Sequence, residues 1–495
     1  MTLDPRTPVL VGAGQVSQRA TSVAEARTPV QLMADAVRAA TSDAGLSALP
    51  TVESMRVVQL LSWRYRDPAR FVAAELGIEV GERVYTTPGG NTPQMLVNAT
   101  ALEIQRGDLD FVVLTGGETW RTRMRARRAG AELPWAHVPE DVAPDRIIGA
   151  EIIMSHPDEI ARGLVMPVQF YPMFETAVRA AAGESVEEHQ VKISELWARF
   201  AAVASANPNA WVRTAPTAEQ IRTATPDNRM IGFPYPKLMN SNNDVDQAAA
   251  LVMCSVGKAR ELEIASDRWV FPHSGTDCHE HHYVSNRWSF AETPAVRAGG
   301  RRALELAGIG IDDVEVVDLY SCFPSAVQLG AASLGLDLDR QLTRTGGLGF
   351  AGGPWNNYVM HAIATVMADL RDRPRARGLV WANGGYATKH AFGVYSSEPP
   401  AAGFRHDDSF QADIDALPAR QLAPVAEAEG EAAIEAYSVM HDRAGEPELV
   451  FASCLLADGR RAWGTSKDAA VGRSMCDGEW VGHPVALSAD GELQF

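Results

Sequence analysis

The chain has 495 residues, 46% of them apolar and 22% charged, with 41 glycines and 29 prolines spread along it. That composition belongs to a folded α/β protein long enough for two or three units of core, and it excludes a disordered chain. A formal charge of -17 argues against nucleic acid or an anionic membrane as the main partner, because both reward a positive face.

Near the start, MTLDPRTPVLVGAGQVSQR has no cationic leader followed by an apolar segment, and no run in the chain reaches the roughly 20 apolar residues of a membrane helix. A cytoplasmic protein without membrane insertion is expected. Cys254, Cys278, Cys322, Cys454 and Cys476 show no CxxC spacing, which suits reduced thiols, and no disulfide framework is expected. VGAGQ (11–15) lacks the full GxGxxG fingerprint and its acidic follower, so a dinucleotide loop is rejected.

VQLMADAVRAATSDAGL has helical periodicity and ends at Gly45; MRVVQLL (55–61) then reads as a buried strand. TTPGGN (86–91) opens the helical run TPQMLVNATALEIQRG, followed by strand DFVVLTGG (110–117). RTRMRARR (121–128) is an arginine run, and EEHQVKISELWARFAAVASANP is a long helical pattern. HSGTDCHEHHYVSNR (273–287) carries Cys278, His279, His281 and His282, but adjacent histidines diverge and no distant pair completes a zinc set, so no metal is assigned.

The first landmarks then recur in order, roughly 260 residues later, as a duplicated unit would place them. AVRAGGRRALELAGI, strand VEVVDLY (314–320), turn RTGGLG (344–349), helix NNYVMHAIATVMADL and strand GLVWANGG (378–385) repeat the earlier series. Strands alternating with helices predict buried, mostly parallel sheets, and two such units predict a five-layer α-β-α-β-α sandwich of the α/β class. The expected organisation is a first half over 1–120, an insertion over 121–240, a second half over 241–400 and a connector over 401–420. Short strands divided by GEP, DGR and DGE turns make 421–495 a small antiparallel β-barrel.

The duplicated unit, VGAGQ, the GG-led helix after the third strand and the AGL/AGI helix ends together resemble the thiolases, the family of the acetyl-CoA acetyltransferases, over about residues 6–400. Within them the chain is most similar to the sterol-carrier-type branch and its mycobacterial thiolase-like proteins of type 1, whose additional C-terminal β-barrel the tail resembles. The resemblance implies coenzyme A thioesters as substrate or ligand, acyl-CoA or another lipid thioester as partner, and no covalently bound cofactor. Type 1 points to a monomer, whereas thiolases dimerise through the sheet edge near the nucleophile loop.

Thiolase chemistry needs a cysteine thiolate at a helix N-terminus, a histidine and a second cysteine or equivalent base. On the resemblance, the nucleophile position falls at Gly90. The GHP histidine falls at Gly353, within Gly352-Gly353-Pro354, and the terminal cysteine at Asn383, within Asn383-Gly384-Gly385. All three lack the reactive group, so thiolysis is not expected. LYSCF (319–323) resembles the HDCF element of the branch, with Tyr320 and Ser321 in place of its histidine and aspartate.

Tyr320, Cys322 and His390 are therefore the candidate catalytic residues, and Arg121, Arg123 and Lys389 the candidate coenzyme A contacts. For Tyr320 the alternative is a core tyrosine with a satisfied hydroxyl, for Cys322 a small buried hydrophobe, and for the arginine run a solvated or salt-bridged face. Two functions stay open: a thioester-binding protein capable of retro-aldol C–C cleavage without a nucleophile, and a non-catalytic carrier or scaffold.

Overall fold

The structure, a computed structural model, describes residues 3–136, 142–424 and 427–495; 137–141 of the expected insertion and 425–426 of the expected barrel lie outside the described residues. The chain begins with β1 (Pro8–Ser17), α1 (Pro29–Asp43), β2 (Val52–Val57), α2 (Pro68–Leu76), β3 (Val80–Thr86), α3 (Thr92–Arg106) and β4 (Phe111–Thr119). Local chemistry sets the helix ends. Thr28 and Gln31 form a capping box before α1, and Gly107 ends α3 in the left-handed conformation that glycine adopts freely.

The arginine run forms α4 (Trp120–Ala129), followed by β5 (Arg146–Ile148), α5 (Pro157–Ala161), α6 (Pro167–Ala182), α7 (Val186–Ala206), α8 (Ala218–Arg222), β6 (Met230–Phe233) and β7 (Tyr235–Pro236). Then come β8 (Asp246–Ser255), α9 (Val256–Glu261), β9 (Phe271–His279), α10 (Pro294–Ala307), β10 (Val316–Leu319), α11 (Pro324–Leu334), α12 (Gly347–Phe350) and α13 (Tyr358–Arg371). The unit closes with β11 (Gly378–Gly384), β12 (Lys389–Ser396), β13 (Arg405–Asp407) and α14 (Gln411–Asp415). The tail holds β14 (Gly430–His441), β15 (Pro447–Leu456), β16 (Arg461–Ser466), α15 (Ala469–Asp477), β17 (Pro484–Leu487) and β18 (Leu493–Gln494).

One sheet has the order β1-β8-β4-β2-β3-β5 and a second the order β10-β11-β12-β9-β13. Helices α3 and α13 lie between them and touch both, while α1 and α2 cover the outer face of the first and α10 and α11 that of the second. This is the five-layer sandwich. Both faces of the first sheet are buried: Val9, Val11, Phe111 and Val113 pack toward α1, and the alternating Leu10, Val112 and Leu114 toward the central helices.

The sheets are mostly parallel, each with one strand running against the others. β8 runs antiparallel to β1 and β4. Its first residue pairs with Thr119, so the chain re-enters the sheet at the end where it left. β12 runs antiparallel to β11, since the turn between them is too short for a crossover. VGAGQ lies inside β1, where its glycines admit helix α1: a Cβ at Gly12 would lie 2.1 Å from the Ala40 carbonyl oxygen, and one at Gly14 the same distance from that of Ala36.

The tail forms an antiparallel sheet of order β16-β15-β14-β17-β18, joined by β6 alongside β14. Its two edges meet at one bridge, Thr465 to Glu492. Among the described residues no helix is long and apolar enough to cross a membrane, and all five cysteines are free thiols.

Candidate functional site

A cavity of about 390 Å³ opens where four loops converge: Pro88–Gly90 before α3, Tyr320–Phe323 after β10, Trp355–Asn356 before α13, and Gly384–Tyr386 between β11 and β12. The segment between β5 and α6 adds Met154 and Met166, and α6 adds Pro167, Val168 and Tyr171. Loops at strand ends are where α/β folds bind ligands.

Gly90 sits beneath Tyr320. A Cβ built on Gly90 would lie 2.4 Å from the carbonyl oxygen of Asn383, 2.6 Å from the Tyr320 hydroxyl and 3.0 Å from the ring carbon bearing it. The phenol thus fills the space that a side chain at position 90 would enter. Its hydroxyl has no hydrogen-bond partner among the described residues, and its ring meets Tyr358 edge-on at 5.6 Å. The loop below is fastened at both ends. The Gly89 N–H donates to Asn356 Oδ1 at 3.1 Å, Asn356 Nδ2 donates to the Gln59 carbonyl at 2.9 Å, and Lys389 Nζ donates to the Pro88 carbonyl.

Tyr171 stacks on Phe323 with centroids 4.6 Å apart, and its hydroxyl accepts from Asn383 Nδ2 at 2.9 Å and from the Ala387 N–H at 3.0 Å. Burial pushes the Cys322 thiol up to about 12, although the Tyr171 hydroxyl beside it pulls the other way. Burial also holds the phenols of Tyr171, Tyr320 and Tyr386 above their ordinary value. These four are the only titratable side chains among the described residues lining the cavity, so its wall is uncharged at neutral pH. Such a wall donates hydrogen bonds to a carbonyl and offers no ready base.

A solved structure of a monomeric SCP2-thiolase-like protein type 1 from Mycobacterium smegmatis superposes with a TM-score of 0.85 at 31% identity, covering 99% of this chain and 99% of that one. The chain belongs to the SCP2-thiolase-like proteins of type 1. Residues 409–492 match the thiolase-like protein type 1 additional C-terminal domain. The Ltp2–ChsH2(DUF35) aldolase (TM-score 0.59, 18% identity, 79% of this chain and 98% of that one) shares the fold. So does the dimeric peroxisomal thiolase of Saccharomyces cerevisiae (0.56, 14%, 80% and 98%). No curated protein matches the sequence.

In this type 1 thiolase-like protein the residues singled out from sequence divide. Tyr320, Cys322 and Gly90 line the cavity. Gly353 does not; the chain reaches the cavity two residues later, at Trp355, whose φ of +46° is strained for a side-chain-bearing residue and whose indole packs edge-on against Trp120 at 4.9 Å. Asn383 stands behind the wall, holding Tyr171. Lys389 is buried, and desolvation lowers its pKa; it secures the Pro88 carbonyl behind the lining.

His390 is outside the cavity. Neighbouring strand residues face opposite ways, so with Lys389 turned toward α3, His390 faces Trp381, whose Nε1 donates to its Nδ1 at 3.3 Å. Burial, reinforced by the charges of Arg287 and His279, lowers its pKa to about 3, and burial alone lowers that of His361 to about 4. Both depressed values mean that the unfolded chain takes up protons first. Stability is therefore expected to fall as pH drops from about 6.5, the ordinary histidine value, toward 4. Denaturant titrations across that range should show His390→Gln with a flatter profile than the parent, and an unchanged slope would remove His390 from the account.

The two arginines proposed for coenzyme A are engaged with protein. Arg123 Nη1 donates to the Leu61 carbonyl at 2.7 Å, at the cavity rim, and Arg121 lies 3.8 Å from Asp244 and over the Trp211 ring. Tyr171, Met154 and Met166 escaped the sequence reading. They come from the long segment after β4, where no fixed spacing marks a ligand-facing residue.

Proposed function

We propose that this protein holds the acyl carbonyl of a coenzyme A thioester, or of a similar lipid thioester, in the four-loop cavity without forming an acyl-enzyme. The observation that carries the reading is the Tyr320 hydroxyl standing over Gly90. A carbonyl entering there meets a neutral hydrogen-bond donor where a thiolase would present a thiolate. The cavity volume falls within the range of small-ligand sites, and the apolar methionine, leucine and proline side chains around it suit an acyl group. In this reading Arg121 and Arg123 meet the coenzyme A phosphates on the Leu61 side. The chain acts as a monomer, because β5 pairs with β3 and occupies the edge beside the Pro88–Gly90 loop.

Calorimetric titration with coenzyme A, acetyl-CoA and a long-chain or steroid CoA ester, followed by mass spectrometry of the mixtures, tests it. Saturable binding of an ester with the protein mass unchanged is expected; a covalent acyl adduct, or no binding by any ester, would overturn it. Tyr320→Phe removes one neutral hydrogen bond and is expected to weaken binding by about twofold to tenfold. Equal affinity in that variant would mean that the carbonyl sits elsewhere.

The unpartnered Tyr320 hydroxyl also favours a second reading, retro-aldol cleavage of a 3-hydroxyacyl thioester, the reaction class named for the aldolase that shares the fold. The phenolate would take the 3-hydroxyl proton, the C2–C3 bond would break, and the thioester enolate would be reprotonated at C2. With the phenol held above its ordinary pKa, turnover would rise with pH through the alkaline range. Cleaved product that disappears in Tyr320→Phe while binding survives would establish this reading; intact ester under all conditions leaves a carrier.

A further inference from the structure

The additional C-terminal unit has a side chain inserted into the support of the cavity wall. Arg461, at the start of β16, is fully buried. Its guanidinium pairs with Glu435 on one side at 2.7 and 2.8 Å, and on the other its Nη1 donates to the carbonyls of Ser285 at 2.6 Å and Arg287 at 2.7 Å. Arg287, also buried, donates to the carbonyls of Tyr386 at 2.5 Å and Ala387 at 2.7 Å. Two residues along β16, Trp463 donates to Ser285 Oγ at 3.0 Å.

The turn held in this way is strained. Ala387 has a φ of +51°, a left-handed conformation that a side-chain-bearing residue keeps only where its surroundings over-determine it. Its carbonyl is fixed by Arg287 and its N–H by the Tyr171 hydroxyl. Tyr386, one residue before, closes the cavity. The unit strand, the 285–287 segment and the turn form one chain of buried, charge-assisted hydrogen bonds, the class that loses most when a partner is removed.

We propose that the C-terminal unit is a structural part of the cavity, with Arg461 as a positioning residue that acts through Arg287 to hold the Gly385–Thr388 turn in its ligand-ready shape. Amide hydrogen exchange of the intact, ligand-free chain at low denaturant tests the coupling. The Ala387 and Thr388 amides are expected to open together with β14–β16, sharing their denaturant dependence, and not with the rest of β11 and β12. Arg461→Lys keeps the charge for Glu435 but loses the fork, and is expected to speed exchange at those two amides by roughly tenfold, the equivalent of one charge-assisted hydrogen bond.

Protection at Ala387 and Thr388 that persists while the C-terminal sheet opens would overturn the proposal. If Arg461→Lys does not fold, the wild-type experiment and Trp463→Phe, which removes the bond to Ser285 and keeps an aromatic ring beside Phe170 and Phe290, decide it; unchanged exchange at the turn in Trp463→Phe, together with uncoupled opening in the parent, counts against it. No thioester enters these measurements. A protein that binds no ester would therefore sink the thioester reading alone, and an uncoupled turn would sink this one alone.

Discussion

Placing a cysteine at residue 90 is expected to leave the protein without thiolase chemistry and to destabilise it. The new Cβ would stand 2.4 Å from the Asn383 carbonyl oxygen and 2.6 Å from the Tyr320 hydroxyl. The first of these is backbone of β11 and cannot swing away. Overpacking of this kind costs about 1–3 kcal/mol, and a contact with sheet backbone belongs at the upper end. The thiol would also lack a proton acceptor, since among the described residues no lining side chain is an imidazole or carboxylate. Gly90→Cys should unfold at lower denaturant than the parent and show no acyl adduct by mass spectrometry after incubation with acetyl-CoA. Gly90→Cys/Tyr320→Ala, relieving one contact of the two, should recover part of the stability. A single variant as stable as the parent and carrying an acyl group would refute the account of the site.

Removing the Glu175 carboxylate should cost more, about 3–5 kcal/mol, the range for breaking one side of a buried ion pair. Glu175 lies on α6 with no exposure; its Oε1 is 2.6 Å from His189 Nε2 and 2.5 Å from Gln328 Nε2, and its Oε2 accepts from the Tyr235 hydroxyl. His189 Nδ1 is 2.6 Å from Glu184, which pairs with Lys192 at the surface. Glu175→Ala leaves three buried groups without their common acceptor. The damage should reach the cavity, because Tyr235 also accepts from the Ser325 N–H in the first turn of α11, the helix that starts directly after Phe323.

The same cluster has a signed pH dependence. Burial lowers the His189 pKa, but the bonds and charges of Glu175 and Glu184 outweigh it and raise the value above 6.5. The stabilisation is therefore fully present below about pH 6.5 and is lost as pH rises through the raised value. Glu175→Gln keeps a hydrogen-bonding group and should flatten this alkaline loss. Denaturation of Glu175→Ala and Glu175→Gln against the parent across neutral to alkaline pH checks both points. A loss under about 1 kcal/mol in Glu175→Ala would show that the ion pair is not what fastens α6 to α7 and α11.

Several features were legible because they are local. The helix from Pro29 and the strand from Phe111 follow from periodicity and from caps such as Thr28 and Gly107. The repeat was readable because its turns carry paired glycines in both halves. His361, in the mostly apolar helical run NNYVMHAIATVMADL, lies buried on α13 with Nδ1 2.9 Å from Gln15 Oε1.

What the letters could not give was the company each residue keeps. His390 and Lys389 stand side by side in NGGYATKH and were both candidates for the site, yet strand alternation sends one toward Trp381 and the other to the Pro88 carbonyl. The run RTRMRARR allowed either a phosphate clamp or a face engaged with protein, and only the fold shows that Arg123 and Arg125 donate to the carbonyls of Leu61, Ala20 and Thr21.

The amino-acid sequence by itself determined the layered α/β architecture, the duplication and the antiparallel tail, because hydrophobic period and turn chemistry are encoded within a few residues of each other. Only the tertiary structure decided that β8 and β12 run against their neighbours, that Tyr320 fills the space above Gly90, that Tyr171 enters the cavity and that Arg461 reaches the segment behind Tyr386. Those depend on contacts between residues far apart in the chain, which are fixed by how the layers pack and by where buried donors find their acceptors.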